Sequence, residues 1–250
     1  CYGGWGQALD LYLDGSVAVC NHAHNGRSTE TFRNEGHFDL IQKQLRPGDF
    51  VVIQFGHNDQ KHPHLQAYNG YPENLRRFIA EIRAKKALPI LATPIARNTW
   101  TEQNGKLTYN DLLHDHAQAC IALGKELNVP VLDLHQAAME DIIRLGRDAS
   151  KIYYHQGDWT HTNDYGAVRA AGYAADALRS LGGTFPEYLP LIQAVSASIK
   201  PWKPEAALLL EKPVRLAGVK GPNGTEEGTA AQDHQAEKDG GDALARLLAA

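Results

Sequence analysis

Three short polar segments carry residue types that together could hydrolyse an ester. They are residues 21–28 (NHAHNGRS), 56–59 (GHND) and 158–161 (DWTH). A histidine beside a carboxylate can act as a general base, because the carboxylate fixes the imidazole tautomer and stabilises the imidazolium. The N–H of a turn glycine and the amide of an asparagine can stabilise an oxyanion, since both donate hydrogen bonds without changing charge. The candidates for these roles are Gly26, Asn58, Asp158 and His161.

Each candidate also has an ordinary structural explanation when it is taken alone. Gly26 precedes a predicted helix start and could simply supply a positive φ. Asn58 follows a predicted strand, where asparagine often forms turns. A lone Asp158-x-x-His161 is most often a helix N-cap with a histidine nearby.

Alternating strands and helices would bring the three segments to one edge of a sheet. Short apolar runs predict four buried strands, at 17–20, 50–55, 89–93 and 129–133. Apolar spacing predicts helices at 6–13, 37–45, 72–86 and 108–127, another from the end of the strand at 129–133 to about 145, and a last one at 163–181. This order indicates βαβ units and a parallel sheet covered on both faces, whose carboxyl-end loops hold the chemistry.

The amino-acid composition of the chain changes after residue 185, which predicts one folded domain over residues 1–185. Residues 186–216 contain five prolines and read as a Pro-rich extension. Residues 217–250 are polar and predict a disordered tail, with a short helix at the very end as an alternative.

Composition excludes several classes of function. The chain of 250 residues is 43% hydrophobic and 22% charged, with a net charge of −4, so it lacks the basic footprint of a nucleic-acid or anionic-membrane binder. No apolar run approaches the roughly 20 residues of a membrane span. Three cysteines are an odd number and too few for a disulfide framework, which fits a reducing compartment, although the sequence leaves localisation and oligomeric state open.

Taken together, the motifs resemble those of the SGNH (GDSL-type) hydrolases, in particular the branch of rhamnogalacturonan acetylesterases. The matching segments are 25–28 (NGRS), 56–59 (GHND), and 158–167 (DWTHTNDYGA). Residues 4–7 (GWGQ) also look like a segment that such proteins carry near their start. The resemblance spans residues 1 to about 185.

This resemblance implies a three-layer α/β/α sandwich with a parallel sheet in flavodoxin-like order. It implies that His161 is the general base, Asp158 its orienting carboxylate, and Gly26 and Asn58 two oxyanion donors. The implied reaction removes acetyl groups from a pectic or related polysaccharide, with no cofactor and no metal. The H-x-H pairs at 22/24, 62/64 and 114/116 lack the accompanying ligands of a metal site.

The nucleophile that the resemblance implies, the serine of a Gly-Asp-Ser segment after the first strand, does not occur in the sequence. Asp14-Gly15-Ser16 has the wrong order, and Ser28 matches a helix-start position of the family. Either the serine was lost or the first strand is missing. We expect a missing beginning, because the chain lacks an initiator Met and a change of serine would have kept the strand. Residues 213–218 could fill the gap in the sheet without restoring the serine. We therefore expect the chain as given to be nearly inactive.

Two other functions remain open at this point. A lipase or thioesterase would need an apolar groove, whereas the loops here are polar and aromatic. A carbohydrate-binding protein without catalysis would keep the fold alone. Loop aromatics could stack on a sugar ring, and two basic residues could meet acidic sugars. These residues are Tyr68, Tyr71, Trp100 and Tyr109, and Arg97 and Lys61.

Overall fold

A parallel sheet of three strands forms the middle layer of the computed structural model, which describes residues 3–195. The strands are β1 (Phe50–Ile53), β2 (Leu88–Ala92) and β5 (Val131–Leu132), in the order β1-β2-β5. Phe50 is paired with Leu88 and Leu91 with Val131. Three of the four predicted strands are therefore present, each within a residue or two of its predicted start.

Helices lie on both faces of this sheet. They are α1 (Trp5–Ala8), α2 (Thr29–Asn34), α3 (His37–Gln44), α4 (Gly70–Ala84), α5 (His114–Leu127), α6 (Leu134–Leu145), α7 (Asp164–Ser180) and α8 (Leu189–Ala194). Helix α1 continues as a 3₁₀ turn over Leu9–Tyr12. Helices α1, α6, α7 and α8 share one apolar core, and α2 to α5 share the other.

The strands are buried on both faces because successive side chains point to opposite sides. Val52, Ile90 and Leu132 pack in the core that contains α7. Their neighbours Val51 and Leu91 pack in the core that contains α4. The predicted three-layer α/β arrangement around a parallel sheet is confirmed.

The predicted strand at 17–20 is wrong. These residues form no strand, and Ala18 and Cys20 are exposed. Within the described range no strand pairs with the edge of β1 that faces away from β2. A short apolar run cannot form a strand without a neighbour to pair with, since its backbone bonds would stay unmade.

The predicted helix at 108–127 begins too early. Helix α5 starts at His114, and residues before it form an antiparallel hairpin of β3 (Trp100–Gln103) and β4 (Lys106–Tyr109). Asn104 and Gly105 connect the two strands with φ values of 51° and 74°. A two-residue turn with positive φ at both positions suits the twist of a hairpin, which explains why the chain turns back here.

The chain beyond residue 185 continues against the domain as far as it is described. Tyr188, Leu191 and Val195 are buried in the α7 core, and the hydroxyl of Tyr188 donates to the carbonyl of Pro89 at 2.7 Å. The rest of the predicted Pro-rich extension and the whole predicted tail lie outside the described residues. Within residues 3–195 no helix has the length and apolar character to cross a bilayer.

Candidate active site

Asp158 and His161 form a hydrogen-bonded pair. The Nδ1 atom of His161 lies 2.7 Å from Oδ2 of Asp158. Burial raises the pKa of Asp158, but hydrogen bonds from the His161 ring and from the Thr160 N–H outweigh it, so the pKa lies well below its usual range. An ionised carboxylate can only accept, so Nδ1 of His161 carries the proton and donates it. In the neutral ring Nε2 is then the basic nitrogen.

The backbone around this pair is closed into a small loop. Oδ1 of Asp158 accepts from the N–H of Thr160 at 2.7 Å and of His161 at 3.1 Å. An antiparallel bridge joins Tyr154 to Thr162 and closes the loop. The carboxylate therefore orients both the imidazole ring and the backbone that carries it.

Asn163 and Gly166 anchor the loop to helix α7. Oδ1 of Asn163 accepts from the Gly166 N–H at 2.9 Å, and its amide donates to the carbonyls of Ile152 and Tyr154 at 3.0 Å each. A Cβ atom at Gly166 would lie 2.1 Å from the carbonyl oxygen of Tyr153. These contacts explain, on structural grounds alone, why an asparagine and a glycine stand at these two positions of the DWTHTNDYGA segment.

Gly26 lies in a turn just before helix α2, with a φ of 71°. Ser28, two residues later, caps that helix: its hydroxyl accepts from the N–H of Thr31 at 3.1 Å. Ser28 is 1% exposed. The hydroxyl is therefore engaged in the helix cap, as the helix-start position of the resemblance predicts.

Asn58 follows strand β1 and contacts the turn that contains Gly26. Its Nδ2 donates to the carbonyl of Arg27 at 3.3 Å, and its Oδ1 accepts from Nζ of Lys61 at 2.7 Å. This contact directs the amide oxygen of Asn58 towards the ammonium group of Lys61. Of the basic residues singled out from the sequence, Lys61 is thus a neighbour of Asn58.

Gly26, Asn58 and His161 line one cavity of about 160 Å³. The side chain of Asp158 is 1% exposed and lies behind His161, whose side chain is 19% exposed. The four candidates from the sequence therefore converge. None of the serines within residues 3–195 is among the residues that line this cavity.

Two residues of this cavity were not predicted from the sequence. The indole N–H of Trp5 donates to Oε1 of Gln54 at 3.0 Å, and Nε2 of Gln54 donates to the carbonyl of Thr93 at 2.8 Å. Both side chains line the cavity beside Gly4. The GWGQ segment offered a signal for Trp5, while nothing in the sequence distinguished Gln54 from any other residue of a strand.

His57 lines the cavity, and Arg97 contacts the backbone of His57. Arg97 donates from Nη2 to the carbonyl of His57 at 3.2 Å, and Nε2 of His57 lies 2.9 Å from the carbonyl of Ile95. Burial lowers the pKa of His57 well below its usual range, and the Arg97 charge lowers it further. His57 is therefore neutral and acts as a hydrogen-bond donor to the Ile95 carbonyl.

The four loop aromatics have different surroundings. Tyr71 is fully buried and Tyr68 is 73% exposed. Trp100 and Tyr109 pack edge to face in the hairpin, with ring centroids 5.5 Å apart. Tyr71 is therefore unavailable for a ligand. No group of three or more His, Cys, Asp or Glu side chains within residues 3–195 is arranged to hold a metal ion.

A three-layer α/β fold with a carboxylate–histidine pair in a cavity lined by amide donors defines an esterase-like class of protein. The chain belongs to the GDSL-like lipase/acylhydrolase family, whose model matches residues 1–169. By this family resemblance it is an ester hydrolase.

Relatives with assigned or suggested esterase activity cover most of the domain. The rhamnogalacturonan acetylesterase RhgT of Bacillus subtilis is 33% identical over 199 residues, which are 74% of this chain and 84% of that protein. The rhamnogalacturonan acetylesterase of Emericella nidulans is 30% identical over 189 residues, 66% of this chain and 74% of that protein. The crystal structure of B. subtilis YxiM has a TM-score of 0.64 and 30% identity over 72% of this chain, and this chain covers about half (51%) of that longer one.

Proposed function

We propose that this protein is a carbohydrate esterase that removes acetyl groups from a pectic or related polysaccharide. The observation that carries the proposal is the convergence of the Asp158–His161 pair with Gly26 and Asn58 in one cavity. Two curated relatives are named as rhamnogalacturonan acetylesterases, which supports an acetylated polysaccharide as the substrate. The name of that polymer denotes rhamnose and galacturonic acid as its sugars.

The reaction needs a hydroxyl nucleophile, a base and donors to an oxyanion. Nε2 of His161 takes the proton of the nucleophilic hydroxyl as its oxygen attacks the acetyl carbon. The tetrahedral oxyanion accepts hydrogen bonds from the Gly26 N–H and from Nδ2 of Asn58. His161 then gives the proton to the sugar oxygen as the bond between that oxygen and the acetyl carbon breaks, which leaves the acetyl group on the nucleophile. Water next gives a proton to His161 and attacks the acetyl carbon; acetate leaves, and His161 returns the proton to the oxygen of the nucleophile.

The nucleophile is the part that the 250 residues do not supply. The family's Gly-Asp-Ser segment does not occur among them, and among the described residues that line the cavity only Thr160 and Thr162 carry a hydroxyl group. The Thr162 hydroxyl donates to the carbonyl of Gly3 at 2.5 Å. We therefore propose that these residues alone hydrolyse esters poorly, since loss of the serine in a comparable hydrolase lowers turnover on the order of 10⁶-fold.

The test compares two proteins in the hydrolysis of p-nitrophenyl acetate. One is the 250-residue chain, and the other is the same chain preceded by a strand of the family pattern that ends in Gly-Asp-Ser, called the extended chain below. We expect turnover by the extended chain, its loss in His161→Ala, and near-background rates for the 250-residue chain. Turnover by the 250-residue chain that persists in Ser28→Ala would contradict the assignment of the nucleophile, and persistence in His161→Ala would contradict the site.

A second function, binding of the polysaccharide without hydrolysis, is favoured by the absence of serine from the described residues that line the cavity. The two functions differ in the extended chain. Release of acetate from acetylated rhamnogalacturonan supports the esterase. Binding of the same polymer by an extended chain that releases no acetate supports the second function.

A further inference from the structure

A second cavity of about 670 Å³ lies beside the candidate active site. We propose that it is a subsite for an acidic sugar residue of the substrate, which stacks on Trp159 and directs its carboxylate to Arg147 and Lys151. This inference rests on the proposed polysaccharide substrate and adds to it the chemistry of the neighbouring sugar. The volume is within the range of roughly 300–1,000 Å³ that small-molecule sites occupy.

The position of the cavity suits a polymer that continues past the reacting ester. Residues 157–159 line the second cavity, and residues 160–162 of the same loop line the first. A sugar chain whose acetyl group reaches His161 therefore meets the second cavity along the same loop. Among the described residues the two cavities have no lining residue in common, but Asp158 lines the second cavity and is hydrogen-bonded to His161, which lines the first.

Two tryptophans contribute apolar surface to this cavity. Trp159 is 55% exposed, and its carbonyl accepts from the N–H of Asn98 at 2.8 Å. The indole N–H of Trp100 donates to Oδ1 of Asn98 at 2.6 Å. One asparagine therefore holds the backbone of one tryptophan and the side chain of the other. The exposed indole of Trp159 presents an apolar face of the kind that stacks against the C–H face of a sugar ring.

The charged side chains of the cavity favour an anion. Arg147 and Lys151 line it, and within residues 3–195 the only lining carboxylate is that of Asp158, which is buried against His161. Nε of Arg147 lies 3.5 Å and Nζ of Lys151 lies 2.7 Å from Asp148, and Nη1 of Arg147 lies 4.0 Å from Glu102. Both acids are more than 60% exposed, and such solvent-exposed pairs are weak.

The two cations should bind a ligand carboxylate more strongly than they bind these surface acids. A guanidinium can bind a carboxylate with two parallel hydrogen bonds, which are stronger than hydrogen bonds between neutral groups. Asn110 and Gln156 line the same cavity and supply amides for sugar hydroxyls. The set of stacking face, two cations and neutral amides matches a uronic acid better than a neutral sugar or an acyl chain.

Binding by the 250-residue chain tests the subsite without any need for hydrolysis. Isothermal titration calorimetry would compare an unacetylated oligogalacturonate with the same oligomer after reduction of its carboxyl groups to alcohols. We expect the acidic oligomer to bind on the order of tenfold more tightly, the difference that one charge-assisted hydrogen bond makes. We expect R147Q/K151Q to abolish this preference and W159A to weaken the binding of both oligomers.

The matched control is K43Q/K125Q, which removes two positive charges from α3 and α5, at residues that line neither cavity. We expect it to keep the preference. Equal binding of the two oligomers, an unchanged preference in R147Q/K151Q, or an equal loss in the control would overturn the subsite. Acetate release by the extended chain reports on the proposed function separately: release without a uronate preference rejects only the subsite, and a preference without release rejects only the esterase.

Discussion

Thr29 donates two hydrogen bonds to one oxygen of the Asp59 carboxylate. Its N–H lies 3.0 Å and its hydroxyl 2.5 Å from Oδ1, while Oδ2 accepts from the N–H of Gly56 at 3.1 Å. Thr29 begins helix α2, three residues after Gly26, and Asp59 directly follows Asn58. This buried carboxylate therefore connects the two loops that carry the candidate oxyanion donors, and burial raises its pKa despite the three hydrogen bonds.

Thr29→Val should lower the free energy of unfolding by about 1–3 kcal/mol, because it leaves the buried Asp59 carboxylate with one donor fewer. Urea denaturation measures the change. Thr101→Val makes the same substitution in the exposed hairpin, and we expect a change within about 0.5 kcal/mol. Equal effects of the two substitutions would show that the hydrogen bond to Asp59 does not contribute to the free energy of unfolding.

The low pKa of Asp158 predicts part of the loss of stability in acid. A carboxylate whose folded pKa is depressed stabilises the fold above its unfolded pKa of about 3.9, and this contribution disappears as the pH falls further. Asp158→Asn should therefore be less stable than the parent at pH 6, with a difference that begins to shrink as the pH falls through about 4 and continues to shrink as the pH approaches the lower pKa of the folded state. Denaturation at a series of pH values measures it.

Asp148→Asn is the control for this pH experiment, since the exposed Asp148 is paired only at the surface, with Lys151 and Arg147. We expect little difference from the parent at any pH. A pH-independent deficit in Asp158→Asn would mean that the carboxylate acts through packing and not through its charge.

Asn58 provides a test of the oxyanion donors in the extended chain. Asn58→Ala should lower kcat by on the order of 10²–10³-fold with little change in KM, as expected for a donor that acts on the transition state. Asn58→Asp keeps the oxygen that accepts from Lys61 but lacks the N–H donor. We expect both variants to lose activity alike; full activity in Asn58→Asp would assign the role to the lysine contact instead.

The sequence predicts those helices and strands whose buried face is visible as an apolar pattern within one continuous segment. Strands β1 and β2 are continuous apolar segments buried on both faces, and helix α4 shows a clear apolar stripe, so both kinds of element match the structure. The run at 17–20 has the same local pattern and forms no strand. The difference is not local, because a strand depends on a partner that its own residues do not specify.

Asn104-Gly105 illustrates a signal that the sequence did contain. An Asn-Gly pair is the strongest short indication of a hairpin, and here it lies between Gln103 and Lys106, which pair across the turn. The apolar spacing that favoured a helix from residue 108 concealed it. Polar strands such as β3 and β4 lack an apolar pattern, so the turn was the only evidence for them.

The candidate site was predictable through its motifs, and its surroundings were not. Asp158 and His161 are three residues apart, so one short pattern contains their relationship. The second cavity joins Trp100, Arg147 and Trp159 from three separate segments. No local pattern connects these residues, since only the position of the hairpin beside the 157–162 loop brings them together.

The two described cysteines should differ in reactivity. Cys20 is exposed and Cys120 is buried, and burial raises the pKa of the Cys120 thiol to about 12, with the Asp133 charge adding to the effect. Since the thiolate is the reactive form, iodoacetamide at pH 8 should alkylate Cys20 in the native protein and spare Cys120. Peptide mass spectrometry distinguishes the two sites, and unfolding in urea should equalise them. Equal labelling in native buffer would show that the core around α5 is open.

A substitution at Gly166 tests how the loop closed by the Tyr154–Thr162 bridge is attached to helix α7. A Cβ atom there would lie 2.1 Å from the Tyr153 carbonyl oxygen and 3.0 Å from two side-chain carbons of Thr162, so the backbone itself would have to move. Gly166→Ala should lower the free energy of unfolding by about 1–3 kcal/mol or more, since overpacking of this kind strains the fold. The matched control is Gly183→Ala, where no atom lies within 4 Å of the added Cβ.

The readout for the site is the hydrogen bond between Asp158 and His161, because Thr162 and Tyr154 close the loop that carries it. We expect the Nδ1 proton of His161 to lose its downfield NMR resonance, or to exchange faster, in Gly166→Ala and to remain as in the parent in Gly183→Ala. If Gly166→Ala unfolds the protein at room temperature, the same comparison is made at a lower temperature, in the folded baseline of the variant. A stable Gly166→Ala with an unchanged resonance would mean that the loop does not depend on this close approach to α7.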